Sequence, residues 1–230
     1  MKTFLKPFEE MPQIEELREH LKKDKRIYEV SGLIDSLKPH LIYGIGYDVP
    51  IKLIVTFDEM RAKQIYEGYQ FFDENTLYYP ARDLLFYQSD IHSNALTRER
   101  LSVVQALIEH RPVTVVTTMD ALMNRVPPLS SYERGIFTID LEETVDLDEM
   151  RKKLVMLGYE NVTQVEHPGE FAVRGGIVDI FPLTEEHPIR MELWGDEIDS
   201  LRYFDVATQK SIDSVEHVTV YPAMELVLTQ

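Results

Sequence analysis

Up to Pro127-Pro128, apolar residues in this chain recur with helical and strand spacing in turn; from Gly169 onward strand spacing prevails almost throughout. Behind Pro12, Ile14, Leu17 and Leu21 fall on one side of a 3.6-residue period, which predicts an amphipathic helix over residues 11–24. Arg26-Ile27-Tyr28-Glu29-Val30 reads as a strand that turns at Ser31-Gly32. Ile51-Lys52-Leu53-Ile54-Val55 is a second strand, and Thr56-Phe57-Asp58-Glu59 after it has the capping-box pattern that opens a helix running toward Tyr69. A further strand ends at Leu77-Tyr78-Tyr79-Pro80, and a helix covers about residues 98–110. After Pro112, residues 113–117 form a continuous β-branched run, which suits a parallel strand buried on both faces. Strands alternating with helices predict a doubly wound α/β sheet.

Past Pro127-Pro128 the pattern changes. Residues 136–141 read as a strand, and residues 146–157 as a helix with Leu147, Met150, Leu154 and Leu157 on one side, ended by Gly158. Hairpin signals follow at Gly175-Gly176 and Gly195-Asp196. The expected organisation is an α/β domain over residues 1–127, an α+β module over 128–216, and a strand within 217–230 that returns to the first domain. Inside the module, strand alternation over residues 189–194 sends Ile189, Met191 and Leu193 to one face and Arg190, Glu192 and Trp194 to the other. The single tryptophan therefore stands on the polar face.

Composition narrows the function classes. With 230 residues, 44% apolar and 28% charged, the chain can bury a sizeable core. Its 24 Lys and Arg against 40 Asp and Glu give a net charge of -16, which repels phosphate backbones unless cations gather in one groove. The densest basic run, Lys22-Lys23-Asp24-Lys25-Arg26, is better read as the end of a helix complementing its dipole. Absence of cysteine excludes disulfides, thiolate metal sites and a cysteine nucleophile, and fits a reducing compartment. The N-terminal residues lack the apolar core of a signal peptide, and no apolar run approaches the roughly 20 residues that span a bilayer. A cytoplasmic location without membrane attachment is expected.

Catalytic patterns are weak. Gly32-Leu33-Ile34-Asp35-Ser36-Leu37-Lys38-Pro39 follows the first expected strand and matches the phosphate-loop spacing G-x-x-x-x-G-K-[ST] at the first Gly and the Lys. Leu37 replaces the second Gly, and Pro39 offers neither an N–H nor a magnesium-binding hydroxyl. This loop is not expected to bind ATP. No histidine pair has metal-ligand spacing and no Gly-x-Ser-x-Gly elbow occurs. The acidic groups Glu142-Glu143 and Asp146, Asp148 and Glu149 flank a helix start, where a cap is a better reading than a metal site. Gly44-Ile45-Gly46 reads as a turn, not a dinucleotide fingerprint. The aromatic pairs Tyr66 with Tyr69, Phe71-Phe72, Tyr78-Tyr79 and Phe86-Tyr87 suit packing better than base stacking. No catalysis, metal or cofactor is expected.

One longer pattern is more specific. Arg174-Gly175-Gly176-Ile177-Val178-Asp179-Ile180-Phe181-Pro182, then Trp194, Asp196-Glu197-Ile198-Asp199-Ser200-Leu201-Arg202 and Phe204-Asp205, resembles the pattern shared by UvrB and the Mfd family of bacterial transcription-repair coupling factors. Tyr79-Pro80-Ala81 with Asp83-Leu84, Arg98-Glu99-Arg100-Leu101, and the run from Thr117 to Pro128 extend the likeness over most of the chain. UvrB keeps a working phosphate loop and inserts a long tyrosine-rich hairpin. The degenerate loop here and the short interval from Tyr79 to Leu101 favour the N-terminal UvrB-homology region of the coupling factors.

The resemblance implies a degenerate P-loop NTPase-like parallel-sheet domain carrying a module like UvrB domain 2, through which UvrA is bound. Its UvrA-contacting positions match Arg174, Arg190 and Trp194, the last being Phe in many relatives. On pattern alone, Arg190 pairing with Glu192 or a neighbouring strand and Trp194 capping the sheet edge is an equal alternative; the resemblance favours the interface. Asp179, inside an apolar strand, is expected to satisfy buried backbone N–H groups or a turn. The family also implies RNA polymerase and DNA partners and an ATP-dependent translocase motor elsewhere in a longer protein, with a distant C-terminal domain masking the surface until activation. The fragment is expected to be monomeric and cut from that longer chain. A UvrB-like contact with damaged DNA, or a nucleotide-binding part of the translocase, is the alternative.

Overall fold

A computed structural model describes residues 5–23, 26–82 and 90–225. The chain divides into two compact units, one of residues 1–82 and 109–124, the other of residues 83–108 and 125–230. In the first unit, α1 (Lys6–Glu9), α2 (Pro12–Lys23) and α3 (Lys38–Gly46) precede β1 (Ile51–Thr56), α4 (Glu59–Gln70) and β2 (Thr76–Tyr79). The chain then runs through α5 (Asp90–Ile108), which belongs to the second unit, and returns as β3 (Val113–Thr118) and α6 (Met119–Met123).

These three strands form a parallel sheet in the order β1-β3-β2. The β-branched run is the central strand, buried along its whole length as its composition requires. Helix α4 covers one face, where Ala62 and Ile65 meet Tyr78 and Val116. On the edge strand β1, Ile51, Leu53 and Val55 are exposed. Tyr43, Tyr69 and Phe72 pack together beside Leu5, so most of the aromatic pairs serve packing, whereas Phe71 is exposed and Phe86-Tyr87 lies outside the described residues.

Three local expectations are corrected. Residues 26–30 form no strand: Ile27 and Val30 are exposed, and among the described residues no strand pairs with the segment. A strand needs a ladder partner, which local composition does not supply. Gly44-Ile45-Gly46 is the last turn of α3, and Gly44 is small because Phe8 lies against it; an added Cβ would sit 2.5 Å from the ring. The cap of α4 is Asp58, whose carboxylate accepts the Arg61 N–H at 2.7 Å, while the Thr56 hydroxyl donates to the Asp58 carbonyl at 2.9 Å.

The second unit adds α7 (Leu129–Glu133), β4 (Phe137–Asp140), α8 (Leu147–Met156) and β5 (Glu160–Asn161) to α5. It continues with β6 (Glu170–Arg174), β7 (Ile177–Ile180), β8 (Ile189–Trp194), β9 (Glu197–Phe204), β10 (Ser211–Ser214) and β11 (His217–Val220). Strands β5 to β10 make a six-stranded sheet in sequence order, antiparallel except for the β5–β6 pair. Strand β11 pairs with β4 inside this unit, and the end of the chain, where the strand returning to the first domain is expected, falls outside the described residues. Strand β4 shares the alternating apolar pattern that buries Ile139, Val218 and Val220. Residues 226–230 lie outside the described residues.

The core is one face of the six-stranded sheet. Phe171, Val178, Ile180, Ile189, Met191, Ile198 and Leu201 pack against Met150 and Leu154 of α8 and against the β4–β11 ribbon. Each such side chain contributes about 1.5–3 kcal/mol on full burial. Between Glu192 and Leu193 the β8–β9 register shifts, which leaves Asp199 as an extra, exposed residue and keeps both Ile198 and Leu201 inward. At the β6–β7 hairpin an added Cβ on Gly176 would lie 3.1 Å from the Leu193 carbonyl oxygen, so the close approach of the two backbones depends on that glycine.

Candidate interaction surface

The opposite face of the same sheet carries the polar residues. Strand alternation places Ala172 and Arg174 of β6, Ile177 and Asp179 of β7, Arg190, Glu192 and Trp194 of β8, and Ser200, Arg202 and Phe204 of β9 on it. Antiparallel register then sets Asp179, Arg190 and Arg202 side by side across three strands. Two like charges directly opposite each other are unfavourable. Each therefore takes its own carboxylate.

Asp179 is only 1% exposed and serves two arginines. Arg190 donates from Nε to Oδ1 at 2.7 Å and from Nη2 to Oδ2 at 2.8 Å, while Arg174 donates from Nη2 to Oδ2 at 2.5 Å. The bond to Asp179, opposed by burial, raises the Arg190 pKa above its ordinary value. Arg190 also donates from Nη2 to the Gln209 Oε1 at 2.8 Å, and its guanidinium lies 4.2 Å from the centroid of the Phe204 ring. Glu192 accepts from Arg202 and from the Ser200 hydroxyl, the latter at 3.1 Å. The Arg202 bond, ahead of the contrary effect of burial, holds the Glu192 carboxyl below its ordinary range.

Arg174, Arg190 and Trp194 thus share one face, with different exposures. Trp194 is 84% exposed beside the β8–β9 turn, so it does not cap the sheet. The side chain of Arg174 is 43% exposed and that of Arg190 only 12%. Among the described residues, Nε and Nη1 of Arg174 and Nη1 of Arg190 make no protein hydrogen bond. The face therefore offers guanidinium donors and a free indole next to one another. Asp179 is a shared counter-ion and not an acceptor for backbone N–H groups, because the β7–β8 register places it opposite Arg190. Arg202 and Phe204 were legible in the β9 alternation; Gln209 comes from a turn that no periodicity marks.

The degenerate loop has a different setting. With residues 26–30 irregular, Gly32, Leu37, Lys38 and Pro39 follow no strand, and residues 35–37 form a single 3₁₀ turn. Lys38 opens α3 and bonds Asp35 at 2.7 Å, and Arg61 reaches the same carboxylate at 3.0 Å. Pro39 occupies the first turn of α3 and removes one of the N–H groups that an anion would use there. Among the described residues, no group of three or more His, Asp or Glu side chains could hold a metal ion, and no helix is long and apolar enough to cross a membrane.

Known proteins resemble this chain within the module and beyond it. Residues 137–226 match the UvrB interaction domain family. The transcription-repair-coupling factor of Bacillus subtilis (strain 168) is 31% identical over 215 residues, covering 86% of this chain and 18% of that protein. The transcription-repair-coupling factor of Staphylococcus aureus (strain USA300) is 38% identical over 162 residues, covering 70% of this chain and 14% of that protein. The chain spans less than a fifth of the length of these relatives. Residues 137–226 are similar to the UvrB interaction domain family, and the chain is similar to the N-terminal, UvrB-homologous region of bacterial transcription-repair coupling factors.

Proposed function

We propose that this chain is an adaptor region that docks UvrA through the polar face of its six-stranded sheet, and that a coupling factor uses it to bring nucleotide excision repair to stalled RNA polymerase. The observation that carries the reading is an almost fully exposed Trp194 on the same face as two arginines whose free N–H groups remain available. Trp and Arg are the residue types that most often dominate binding energy, through rigid apolar area and bidentate donation. RNA polymerase and DNA are partners of other parts of a longer protein, and this region works in the cytoplasm.

In this reading the chain performs no catalysis. The first unit is a relic of a P-loop fold: its parallel sheet and crossover helix support the ancestry, and Lys38 tied to Asp35 supports the loss of phosphate binding.

Calorimetric titration of UvrA into the 230-residue chain tests the docking. Arg174→Ala and Trp194→Ala are each expected to weaken binding by about 2 kcal/mol, and Arg190→Glu by at least as much because it also disrupts Asp179. Parent-like affinity in all three variants would refute the assignment.

A further inference from the structure

The turn between β9 and β10 is built at a conformational cost. Gln209 has φ 57°, in the left-handed region that a side chain of its size rarely enters. Around it, the Gln209 N–H donates to the Asp205 carbonyl at 2.8 Å and the Asp205 N–H donates to the Lys210 carbonyl at 2.9 Å. The Asp205 carboxylate accepts the Thr208 N–H at 2.8 Å and the Thr208 hydroxyl at 2.6 Å. None of these four bonds uses the Gln209 side chain. Glycine would meet the same backbone demand with less strain.

The side chain is engaged elsewhere. Its Nε2 donates to the Val206 carbonyl at 2.8 Å, which orients the carboxamide, and its Oε1 accepts from Nη2 of Arg190 at 2.8 Å. Arg190 is thereby held by Asp179 along one edge, by Gln209 at Nη2 and by Phe204 beneath the plane. The donor left over is Nη1. Strain at a residue whose contact outside its own turn reaches a recognition side chain points to a constraint beyond the turn.

We propose that Gln209 is a positioning residue of the docking surface: it fixes the Arg190 guanidinium so that Nη1 is presented to an acceptor on the partner. The proposal rests on the docking reading above. Gln209→Gly separates the two roles of the residue, since it relieves the backbone and removes the carboxamide. The variant is expected to melt at or above the parent temperature while its Kd for UvrA rises about tenfold, the change that accompanies loss of one charge-assisted hydrogen bond. In an Arg190→Ala background the same substitution is expected to change Kd no further, because its effect travels through Arg190.

Parent-like affinity of Gln209→Gly, with Arg174→Ala and Trp194→Ala still weakened, would overturn the positioning role and leave the docking reading standing. An equal loss of affinity with and without Arg190 would also overturn it. If Arg174→Ala and Trp194→Ala bind like the parent as well, the docking reading itself has failed.

Discussion

Arg190 lies directly across the β7–β8 ladder from Asp179, and this one register position governs the character of the polar face. Alternation alone put Arg190 and Trp194 outward. Which carboxylate would meet Arg190 depended on strand pairing, and the nearer choice along the chain, Glu192, is taken by Arg202. Removing Asp179 leaves a largely buried guanidinium and its half-exposed neighbour without their shared counter-ion. Asp179→Ala is therefore expected to lower unfolding stability by about 2–3 kcal/mol, below the range of about 3–5 kcal/mol for a fully buried pair because Arg190 keeps some contact with water. A shift in the urea midpoint measures it, and an unchanged midpoint would show that Gln209 and Phe204 hold Arg190 unaided.

Helix α8 shows how much of one element was readable in advance. Of the expected inward residues, Met150, Leu154 and Leu157 are buried and Leu147 is partly buried against the same core, and the helix gives way at Gly158. Its acidic start is a cap: Asp146 accepts the N–H groups of Asp148 at 2.8 Å and Glu149 at 3.1 Å. Asp146→Ala is expected to cost about 1 kcal/mol, seen as a lower melting temperature without loss of the folded circular-dichroism spectrum. Parent-like melting would mean that core packing alone sets the helix start. The opposite case is the segment at residues 26–30, which has strand-like composition and no strand. Helix caps and amphipathic faces are local properties, whereas a strand exists only where another strand accepts it.

The molecule as a whole carries a net charge of -16, whereas the outward donors of this face are cationic. Docking through Arg174 and Arg190 is expected to weaken as ionic strength rises from about 0.1 M, where the screening length is about 10 Å, to about 1 M, where it is about 3 Å. Arg174→Ala should flatten that dependence in a salt series of UvrA titrations, while Trp194→Ala should keep the parent slope. An affinity indifferent to salt would assign the binding to apolar contact. The change of period after Pro127-Pro128 is a local signal, whereas the placing of α5 in the second unit and the pairing of β11 with β4 come from contacts between distant segments. Composition and periodicity were enough to establish a mixed α/β chain, the central parallel strand, helix α8 and the outward placement of Arg190 and Trp194, since each follows from short-range spacing. The Asp179 clamp, the turn that delivers Gln209 and the pairing of the last described strand arose from register between segments, which short-range spacing does not encode.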